Sequence, residues 1–408
     1  MKNNKKMINR EYYENIWADF NSEKKLILIA GPRQAGKTTL VKSIASKVGS
    51  SYYFNYDIPK NKAILAQNPT FFEETDRNKE ENPIVIFDEI HKYKEWKNYL
   101  KGIYDGYSDS FSFIAAGSGR LELFQHGGES IAGRYRLFHL FPFTIGELFS
   151  KEPIQKSAAD LIEIPETRSR ELWESLFNYS GFPEPFVKSS AISYRRWSNV
   201  YHKQIIREDI RDTFSVKNID AMETLYALLP TKAGSLLSAS NLSGLIKVSH
   251  KTVSEWIKVF EKFFLIFIVR PYSKLISRSI LKQPKIYFYD YCLLDDVAIK
   301  FENIVAVELK RAVTIWTDFG FGNFELFFIR NKDQKEVDFI ITENNKPYIL
   351  IETKFTDTTI SKTLKEFQNL YNIPAVQLIN TPGIKRLIKN GDNQILVVTA
   401  SDWLANLH

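Results

Sequence analysis

A glycine-rich segment near the amino terminus has the residue types that bind a nucleoside triphosphate. Residues 31–38 read GPRQAGKT; they follow the apolar run LILIA (26–30) and precede an apolar-periodic segment. Glycines at the first and sixth positions permit tight turns, so that successive backbone N–H groups and the start of the following helix can bind phosphate oxygens. The spacing therefore predicts a P-loop between a strand and a helix.

The side chains of this segment have separate expected roles. Lys37 is expected to reach the β- and γ-phosphates, and the Thr38 hydroxyl is expected to ligate Mg²⁺. The backbone of the whole segment and of the residue after it is expected to surround the phosphates. The predicted nucleotide-binding residues are Gly31, Pro32, Arg33, Gln34, Ala35, Gly36, Lys37, Thr38 and Thr39.

Two acids follow a second apolar strand, IVIFDE (84–89). Asp88 is expected to hold the Mg²⁺ shell and Glu89 to orient the attacking water, because phosphoryl transfer depends mainly on positioning and charge neutralisation. An acidic pair alone is as often a helix cap, but a preceding P-loop favours the magnesium-binding interpretation. A third strand, FSFIAAGS (111–118), should bring Ser118 to the γ-phosphate, since ligands bind beyond the carboxyl ends of parallel strands.

Strands and helices alternate over residues 20–145, which predicts a doubly wound parallel sheet. The presence of Glu89 favours hydrolysis of the nucleotide over binding alone. Arg134 precedes a further predicted strand, residues 135–140. It is interpreted as a nucleotide sensor or as an arginine finger acting on a neighbouring subunit of a homo-oligomer; a surface ion pair is the alternative.

Acidic and basic side chains recur on two predicted strands near the carboxyl terminus, EVDFIIT and PYILIETK. Glu352 and Lys354 are two residues apart on one strand and therefore share a face. Asp338 and Glu352 are expected to bind one or two Mg²⁺ ions, with Lys354 positioning or deprotonating water and helical Glu302 as a further candidate ligand. A salt-bridged strand face is the alternative, although the apolar residues 349–351 indicate that the charges are partly buried, which is costly.

The excess positive charge lies in the middle of the chain. The net charge is +7 overall, and residues 184–290 contribute +8 from 17 basic and 9 acidic residues. Such a segment is typical of a module that faces a polyanion, and the alternative is a solvated lysine-rich surface. We expect the partner to be nucleic acid, with DNA favoured over RNA.

Residues 235–290 have a helix, turn, helix and hairpin pattern that predicts a winged helix. Ser249 should cap the second helix, with Val253, Trp256, Ile257 and Phe260 on its apolar face. The side chains expected to face DNA are His250, Lys251, Ser254 and Lys258 on the helix and Lys274, Arg278, Lys282 and Lys285 in the wing. A spacer or protein-binding module is the alternative.

The blocks LILIAGPRQAGKTTL, IVIFDEIHKYKEW and SIAGRYRLFHLFPFTIGEL resemble the prokaryotic AAA-type (P-loop) ATPases that carry a C-terminal domain related to the PD-(D/E)XK nucleases. FENIVAVEL, KEVDF and ILIETK resemble that C-terminal domain. The resemblance implies ATP as the nucleotide, the AAA+ strand order, and catalytic roles for Asp338, Glu352 and Lys354. It also implies that Pro183, in Gly181-Phe182-Pro183, contacts adenine and that Arg207 serves the nucleotide site; the alternatives are a helix-breaking turn and a charge pair with Asp209.

The expected fold class is α/β in four parts. These are a P-loop AAA+ parallel-sheet ATPase domain (1–160), a helical lid (161–232), a winged helix (233–290) and a C-terminal restriction-endonuclease-like domain (291–408). The composition, with 44% hydrophobic and 25% charged residues, excludes wholesale disorder. The lone Cys292 excludes internal disulfides. With no apolar run near the ~20 residues of a membrane helix, we expect a cytoplasmic protein without a membrane partner.

Three functional hypotheses follow. In the first, a magnesium-dependent ATPase controls a nucleic-acid-directed nuclease at the far end of the chain. In the second, ATP turnover drives a switch that binds DNA or another partner, and the C-terminal domain does not cleave. In the third, the chain is an ATP-dependent assembly scaffold that never touches nucleic acid.

Overall fold

The structure is a computed structural model of the 408-residue chain. It describes residues 8–74, 82–118, 133–168, 170–214, 216, 218–273 and 282–407, and of Asp212 only the backbone. The chain divides into two compact units. The first comprises Met1–Pro142 with Lys262–Phe264, and the second comprises Phe143–Glu261 with Leu265–His408.

The first unit is built on a five-stranded parallel sheet with the strand order β2–β3–β4–β1–β5. Its strands are β1 (Leu26–Ala30), β2 (Ser51–Asn55), β3 (Ile84–Asp88), β4 (Ser112–Ala116) and β5 (Tyr135–His139). Its helices are α1 (Glu11–Ser22), α2 (Lys37–Lys47), α3 (Pro59–Gln67) and α4 (Trp96–Tyr107), with short 3₁₀ turns at Phe71–Glu74 and Ile90–Lys92.

The sequence of each strand explains this layering. All five residues of β1 and of β3 are buried, because helices cover both faces of a parallel sheet and leave no polar side. An aromatic core packs on one face around Phe54, Phe72 and Phe87. The strands predicted at residues 26–30, 84–89, 111–118 and 135–140 are confirmed to within two residues at each end.

The second unit begins with a helical region. Its helices are α5 (Ile145–Phe149), α6 (Arg170–Tyr179), α7 (Pro183–Lys188), α8 (Ala191–Gln204), α9 (Arg211–Thr213), α10 (Ile219–Leu228), α11 (Ala239–Ile246) and α12 (His250–Lys262). A π-helical segment, Ile205–Ile210, joins α8 to α9, and 3₁₀ turns occupy Asp160–Ile162 and Leu229–Lys232. The predicted cap of α12 is confirmed, since Ser249 Oγ accepts the Thr252 N–H at 3.0 Å, and the four predicted apolar side chains are buried.

A mixed eight-stranded sheet completes the second unit, in the order β12–β13–β11–β10–β9–β8–β6–β7. Its strands are β6 (Ile266–Pro271), β7 (Lys285–Phe288), β8 (Phe324–Arg330), β9 (Glu336–Glu343), β10 (Lys346–Lys354), β11 (Ala375–Ile379), β12 (Lys385–Asn390) and β13 (Asn393–Thr399). The accompanying helices are α13 (Val297–Asp318), α14 (Lys362–Tyr371) and α15 (Ala400–Leu404), with a 3₁₀ turn at Tyr291–Leu293.

The predicted hairpin of the middle region is present but is not separate from the C-terminal sheet. Strands β6 and β7 pair antiparallel, and β6 also pairs parallel with β8 through Arg270 and Pro271. The hairpin therefore belongs to the sheet that carries the predicted metal-binding strands, with β8 between β6 and β9. Among the described residues no helix combines the length and the apolar character needed to cross a membrane.

Candidate functional site

The P-loop begins at the carboxyl end of β1 and leads into α2. Gly31 (φ 152°) and Gly36 (φ 101°) adopt backbone conformations that favour glycine, and Gln34 (φ 60°) lies in the left-handed region between them. A Cβ atom on Gly31 would overlap the carbonyl oxygen of Leu140, just beyond β5. The first glycine of the motif is thus required by close packing as well as by the turn.

The predicted phosphate-binding lysine lies inside this loop. Lys37 is buried, and its Nζ donates hydrogen bonds to the carbonyl oxygens of Gly31 at 2.8 Å and Pro32 at 2.6 Å. The ammonium group is therefore held within the turn that is expected to surround the phosphates.

Thr38 and Asp88 meet where β1 and β3 end. The Thr38 hydroxyl donates to Asp88 Oδ2 at 2.7 Å, and the Tyr53 hydroxyl from β2 donates to the same oxygen at 2.7 Å. Burial raises the pKa of Asp88, while the two hydrogen bonds act in the opposite direction. Asp88 Oδ1 is also buried and has no hydrogen-bond partner within the described part of the chain.

This donor set fits magnesium. Mg²⁺ prefers hard oxygen ligands and is commonly held by one or two protein groups together with phosphate and water. A hydroxyl beside a buried carboxylate with an unpartnered oxygen has that chemistry. Tyr53 was not singled out from the sequence, since a tyrosine in the alternating strand SYYFN carries no signal of its own; only the β2–β3 pairing brings it to Asp88.

Glu89 lies at the turn after β3 with left-handed backbone geometry (φ 57°). Its Oε2 is 3.2 Å from Lys92 Nζ and 3.5 Å from His91 Nε2, and its backbone N–H donates to Ala116 at the end of β4 at 2.9 Å. Ser118 follows two residues later, and the intervening Gly117 N–H donates to Ile29 of β1 at 3.1 Å. The fold thus brings the ends of β1, β3 and β4 together, as the sequence predicted.

An arginine outside the motif also holds the P-loop. Arg10, which directly precedes α1, is buried and donates from Nη1 to the Ala35 carbonyl at 2.7 Å and from Nη2 to the Phe141 carbonyl at 2.7 Å. It therefore links the loop to the segment that follows β5. An arginine before an amphipathic helix has no distinguishing spacing, so sequence reasoning missed it.

Arg134 does not serve its own P-loop as a sensor. It lies at the amino end of β5, which runs parallel to β1, whereas the P-loop follows the carboxyl end of β1. Its Nε pairs with Asp105 Oδ1 of α4 at 2.6 Å, as the surface ion-pair alternative described. A role as an arginine finger toward a neighbouring subunit stays a prediction.

The C-terminal candidate site lies on β9 and β10. Lys354 Nζ is 2.8 Å from Glu352 Oε1, so the two side chains share a face as predicted. Asp338 comes from the adjacent strand, one residue beyond the Ile351–Phe339 pair, and its Oδ2 accepts the backbone N–H and the hydroxyl of Thr353, each at 2.7 Å. Glu352 is buried, and its Oε2 has no hydrogen-bond partner among the described residues.

The electrostatics of these groups are coupled. Burial, together with the nearby Asp338 carboxylate, raises the pKa of Glu352 to about 8, although Lys354 opposes the shift. Burial disfavours the charged form of Lys354, but Glu352 and Asp338 outweigh it and raise the pKa of the amine. An acid that resists ionisation until a cation arrives is typical of a metal-binding or catalytic position.

Helical Glu302 joins this cluster through residues of β7. Glu302 Oε1 accepts the Tyr287 hydroxyl at 2.7 Å and lies 3.5 Å from Lys285 Nζ, which pairs with Glu336 Oε1 at 2.6 Å. Burial and the Asp338 charge raise the pKa of Glu302 to about 7, against the effects of Lys285 and Tyr287. Lys285 and Tyr287 were missed as site residues, because only the pairing of the hairpin with the sheet brings them here. Glu336 was missed although it lies on β9 two residues before Asp338, a spacing that puts both on one face of the strand.

The expectation that Lys285 contacts phosphates from a wing is wrong. Its side chain is buried in β7 between two carboxylates, where it neutralises their charge. Lys274 and Arg278 lie outside the described residues. Lys282 is exposed, as are His250, Lys251 and Lys258 of α12, whereas Ser254 is half-buried.

The described residues at this site offer a metal ion two carboxylates, Asp338 and Glu352, which is fewer ligands than a complete coordination shell needs. Among the described residues, no group of three or more histidine, cysteine, aspartate or glutamate side chains is arranged to hold a metal ion. Asp338 and Glu352, with an unpartnered buried oxygen, still fit Mg²⁺, which typically takes one or two carboxylates and completes its shell with water and substrate phosphate.

Two residues of the helical region have defined structural contacts. Pro183 begins α7, and the preceding Gly181 carbonyl accepts the Phe143 N–H at 2.6 Å. The segment forms a turn between α6, which ends at Tyr179, and α7, in agreement with the alternative of a helix-breaking turn. A contact of Pro183 with adenine stays a prediction. Arg207 pairs with Glu223 at 2.5 Å and Asp220 at 2.8 Å on α10, which differs from the pair within one helix that the sequence suggested.

Comparison with known families agrees with the geometry of the first unit. Residues 23–149 match the family model described as AAA domain. The chain carries an AAA domain. Residues 170–302 and 299–401 match two further models, each described as a domain of unknown function (DUF8612 and DUF4143). The second of these spans Glu302, Asp338, Glu352 and Lys354, and Lys285 lies within the first.

The chain is similar to uncharacterized proteins from distant prokaryotes. It is 22% identical over 363 residues to one from Methanocaldococcus jannaschii, covering 84% of this chain and 78% of the relative. It is 22% identical over 348 residues to one from Mycobacterium tuberculosis, covering 83% and 73%. A third relative, from Haemophilus influenzae, is 22% identical over 394 residues, covering 90% and 91%.

Solved structures with partial likeness include the Walker-type ATPase of Pyrococcus abyssi, with a TM-score of 0.43, 13% identity, and coverage of 73% of this chain and 97% of that chain. Another is the Aeropyrum pernix ORC1 protein in complex with DNA, with a TM-score of 0.33, 12% identity, and coverage of 74% and 93%.

Proposed function

We propose that the first unit binds ATP with Mg²⁺ and hydrolyses it. The observation that carries this proposal is the 2.7 Å hydrogen bond between Thr38 and the buried Asp88, next to a P-loop whose lysine points into the turn. Backbone N–H groups of the loop and the amino end of α2 would bind the phosphates, and Lys37 would neutralise their charge.

Magnesium, held by Thr38 and through the Asp88 carboxylate, would supply positive charge to the phosphate oxygens. Glu89 would orient the attacking water by accepting its hydrogen bond, and Ser118 would donate to the terminal phosphate. These roles need a carboxylate and a hydroxyl at the ends of β3 and β4, where both are found. Positioning of this kind supplies most of the rate enhancement in phosphoryl transfer.

The test separates binding from turnover with two variants. Lys37→Ala should lose nucleotide binding, whereas Glu89→Gln should bind ATP and hydrolyse it at least a hundredfold more slowly. Lys60→Ala, an exposed lysine of α3 in the same unit, is the matched control and should behave as wild type. Normal hydrolysis by Glu89→Gln would show that Glu89 does not orient the water.

A second activity is proposed for the C-terminal sheet, namely metal-dependent cleavage of nucleic acid in a restriction-endonuclease-like domain. It is supported by one acidic face that contains Asp338 and Glu352, with Lys354 at 2.8 Å from Glu352. In this proposal the carboxylates hold Mg²⁺ and Lys354 positions the attacking water. The helical lid and the winged-helix segment before it would transmit the nucleotide state to this centre and hold DNA.

The test incubates the purified full chain with plasmid and linear DNA and Mg²⁺ or Mn²⁺, with and without ATP. Lys354→Ala runs in parallel to exclude a contaminating nuclease. Cleavage by wild type but not by this variant would establish the centre. Equal cleavage by both would trace the activity to another source, and no cleavage at all would favour an ATP-driven switch that binds DNA or a partner without cutting.

A further inference from the structure

A cleft of about 570 Å³ lies in the second unit, beside the candidate metal centre. Its floor is apolar and consists of Leu236, Pro271 and Phe328. Three cationic side chains line it, namely Lys282 before β7, Arg330 at the end of β8 and Lys332 in the turn that follows. Within the described part of the lining there is no acidic residue.

The position of the cleft relative to the acidic centre is fixed by a chain of ion pairs. Arg330 Nη1 is 3.1 Å from Glu336 Oε2, and Glu336 Oε1 is 2.6 Å from Lys285 Nζ, which in turn reaches Glu302 at 3.5 Å. The cationic lining therefore connects through three contacts to a carboxylate that adjoins Asp338. A ligand in the cleft would lie next to the proposed metal-binding face.

The lining specifies the chemistry of the ligand. Exposed Lys282 and Lys332 offer two positive charges, and the described residues of the lining include no carboxylate to neutralise them, so an anion is favoured. The apolar floor needs an apolar surface on the same molecule. A nucleotide combines both, and its base can reach such a floor only when it is unpaired, because the faces of paired bases are covered by their stacked neighbours.

We propose that this cleft binds an unpaired nucleic-acid strand and delivers it to the adjacent centre. The inference rests on the proposed metal centre and adds the form of its substrate. Lys282 and Lys332 contact backbone phosphates, Arg330 holds a phosphate close to the carboxylate cluster, and a base lies on the floor formed by Leu236, Pro271 and Phe328. Duplex DNA is excluded from the floor unless its strands separate.

The test measures binding of the full chain to a labelled twelve-nucleotide oligothymidine by fluorescence anisotropy. It is run with EDTA, so that cleavage cannot interfere, and repeated with the same strand annealed to its complement. The test variant is Lys282→Glu with Lys332→Glu. The matched control is Lys346→Glu with Lys389→Glu, which makes the same charge change at two exposed lysines that are not part of the described cleft lining, Lys389 lying on β12 at the opposite edge of the sheet.

The test variant should bind the unpaired strand at least tenfold more weakly, and the control should change less than threefold. Because each phosphate contact to a single strand contributes about 0.7 to the slope of log K against log salt, losing two contacts should flatten that slope by about 1.4. Equal weakening in test and control variants would overturn the proposal, as would a duplex that competes as well as the unpaired strand.

Failure of this inference is distinguishable from failure of the proposed function. Glu352→Gln should bind the strand as wild type does while losing metal-dependent cleavage. If wild type binds with the expected pattern but never cleaves, the cleft is established and the nuclease proposal fails. If wild type cleaves and the cleft variant binds and cleaves normally, the cleft assignment alone is wrong. ATP hydrolysis by the cleft variant should equal that of wild type, which verifies the first unit, and its urea unfolding should match that of wild type, which verifies the folding of the second unit.

Discussion

Arg10 and Ala35 are joined by a hydrogen bond of 2.7 Å from the guanidinium Nη1 to the backbone carbonyl oxygen, in the interior of the first unit. The same guanidinium binds Phe141, so one side chain fixes the P-loop against the segment after β5. A buried carbonyl that loses such a partner costs about 1–3 kcal/mol. Arg10 is therefore a positioning residue for the loop.

We expect Arg10→Ala to weaken ATP binding about tenfold or more and to lower the unfolding midpoint of the first unit. Arg10→Lys should restore part of the affinity, since one ammonium can reach one of the two carbonyls. Calorimetric titration with ATP measures the affinities, and thermal unfolding of each variant measures the midpoint. The control is Arg136→Ala, which breaks the exposed pair with Glu23 and should leave ATP affinity unchanged. Arg10→Ala with unaltered ATP affinity would contradict the role.

Tyr53→Phe removes only the hydroxyl that donates to Asp88 at 2.7 Å. Since hydrogen bonds to this carboxylate oppose the rise in its pKa, their loss should raise the pKa of Asp88 further and weaken its contribution to magnesium binding. We expect the Mg²⁺ concentration that gives half-maximal ATP hydrolysis to rise about threefold to tenfold, with ATP binding in the absence of Mg²⁺ unaffected. An unchanged Mg²⁺ requirement would show that Thr38 alone orients Asp88.

The C-terminal centre should bind metal in a pH-dependent manner. The pKa of Glu352 is raised to about 8 and that of Glu302 to about 7, so both carboxyl groups must lose protons before they can bind a cation. Mn²⁺ affinity should increase about tenfold per pH unit between pH 6.5 and 8, since binding releases at least one proton. Titration calorimetry at several pH values gives the dependence directly.

Glu352→Gln should weaken this dependence, leaving the part that Glu302 contributes, and should remove most of the Mn²⁺ affinity. In the metal-free protein a rise in pH has the opposite effect, because it lowers the stability of the fold. The raised pKa of Glu352 contributes stability that is lost as pH rises from 4.5 through 8. The variant should therefore be more stable than wild type at pH 9. Glu325→Gln, an exposed position on β8, is the control. Mn²⁺ affinity that stays flat across this pH range would contradict the assignment.

Asp290 and His202 form a buried pair in the second unit whose two pH effects oppose each other. Burial raises the pKa of Asp290 to about 6 and lowers that of His202 to about 4, and the Nε2 and Oδ2 atoms are 3.5 Å apart. At pH 5 both groups are therefore neutral. Each shift corresponds to about 3 kcal/mol of folding stability. The shift at Asp290 stabilises the fold at low pH, and the shift at His202 stabilises it at high pH.

Replacing either residue should leave only the pH dependence of stability that the other residue contributes. Asp290→Asn should lose stability relative to wild type as pH falls from 6.5 to 4, because only the histidine then titrates. His202→Gln should lose stability relative to wild type as pH rises from 4 to 6. Urea unfolding of the second unit at four pH values measures both. If the two residues instead formed an ion pair, both variants would be equally destabilised at pH 5.

The sequence by itself determined the first unit in some detail. Local signals suffice there, because a P-loop requires glycines at fixed positions in one short segment, and fully buried strands are visible as continuous apolar runs. The motif itself contains Thr38, and the predicted strands end at Asp88, Glu89 and Ser118. Because the ends of parallel strands meet at one edge of a sheet, the predicted strands were sufficient to predict that these residues lie close together.

Only the tertiary structure decided which residues outside the motifs complete each site. Arg10 and Tyr53 reach the nucleotide site through packing and strand pairing, neither of which leaves a spacing signature. Lys285 was expected to face solvent on a wing, but the pairing of β6 with β8 turns its strand into part of the C-terminal sheet and buries the amine between Glu302 and Glu336. Long-range strand pairing sets which face of a strand is buried, and a local pattern of charges cannot reveal it.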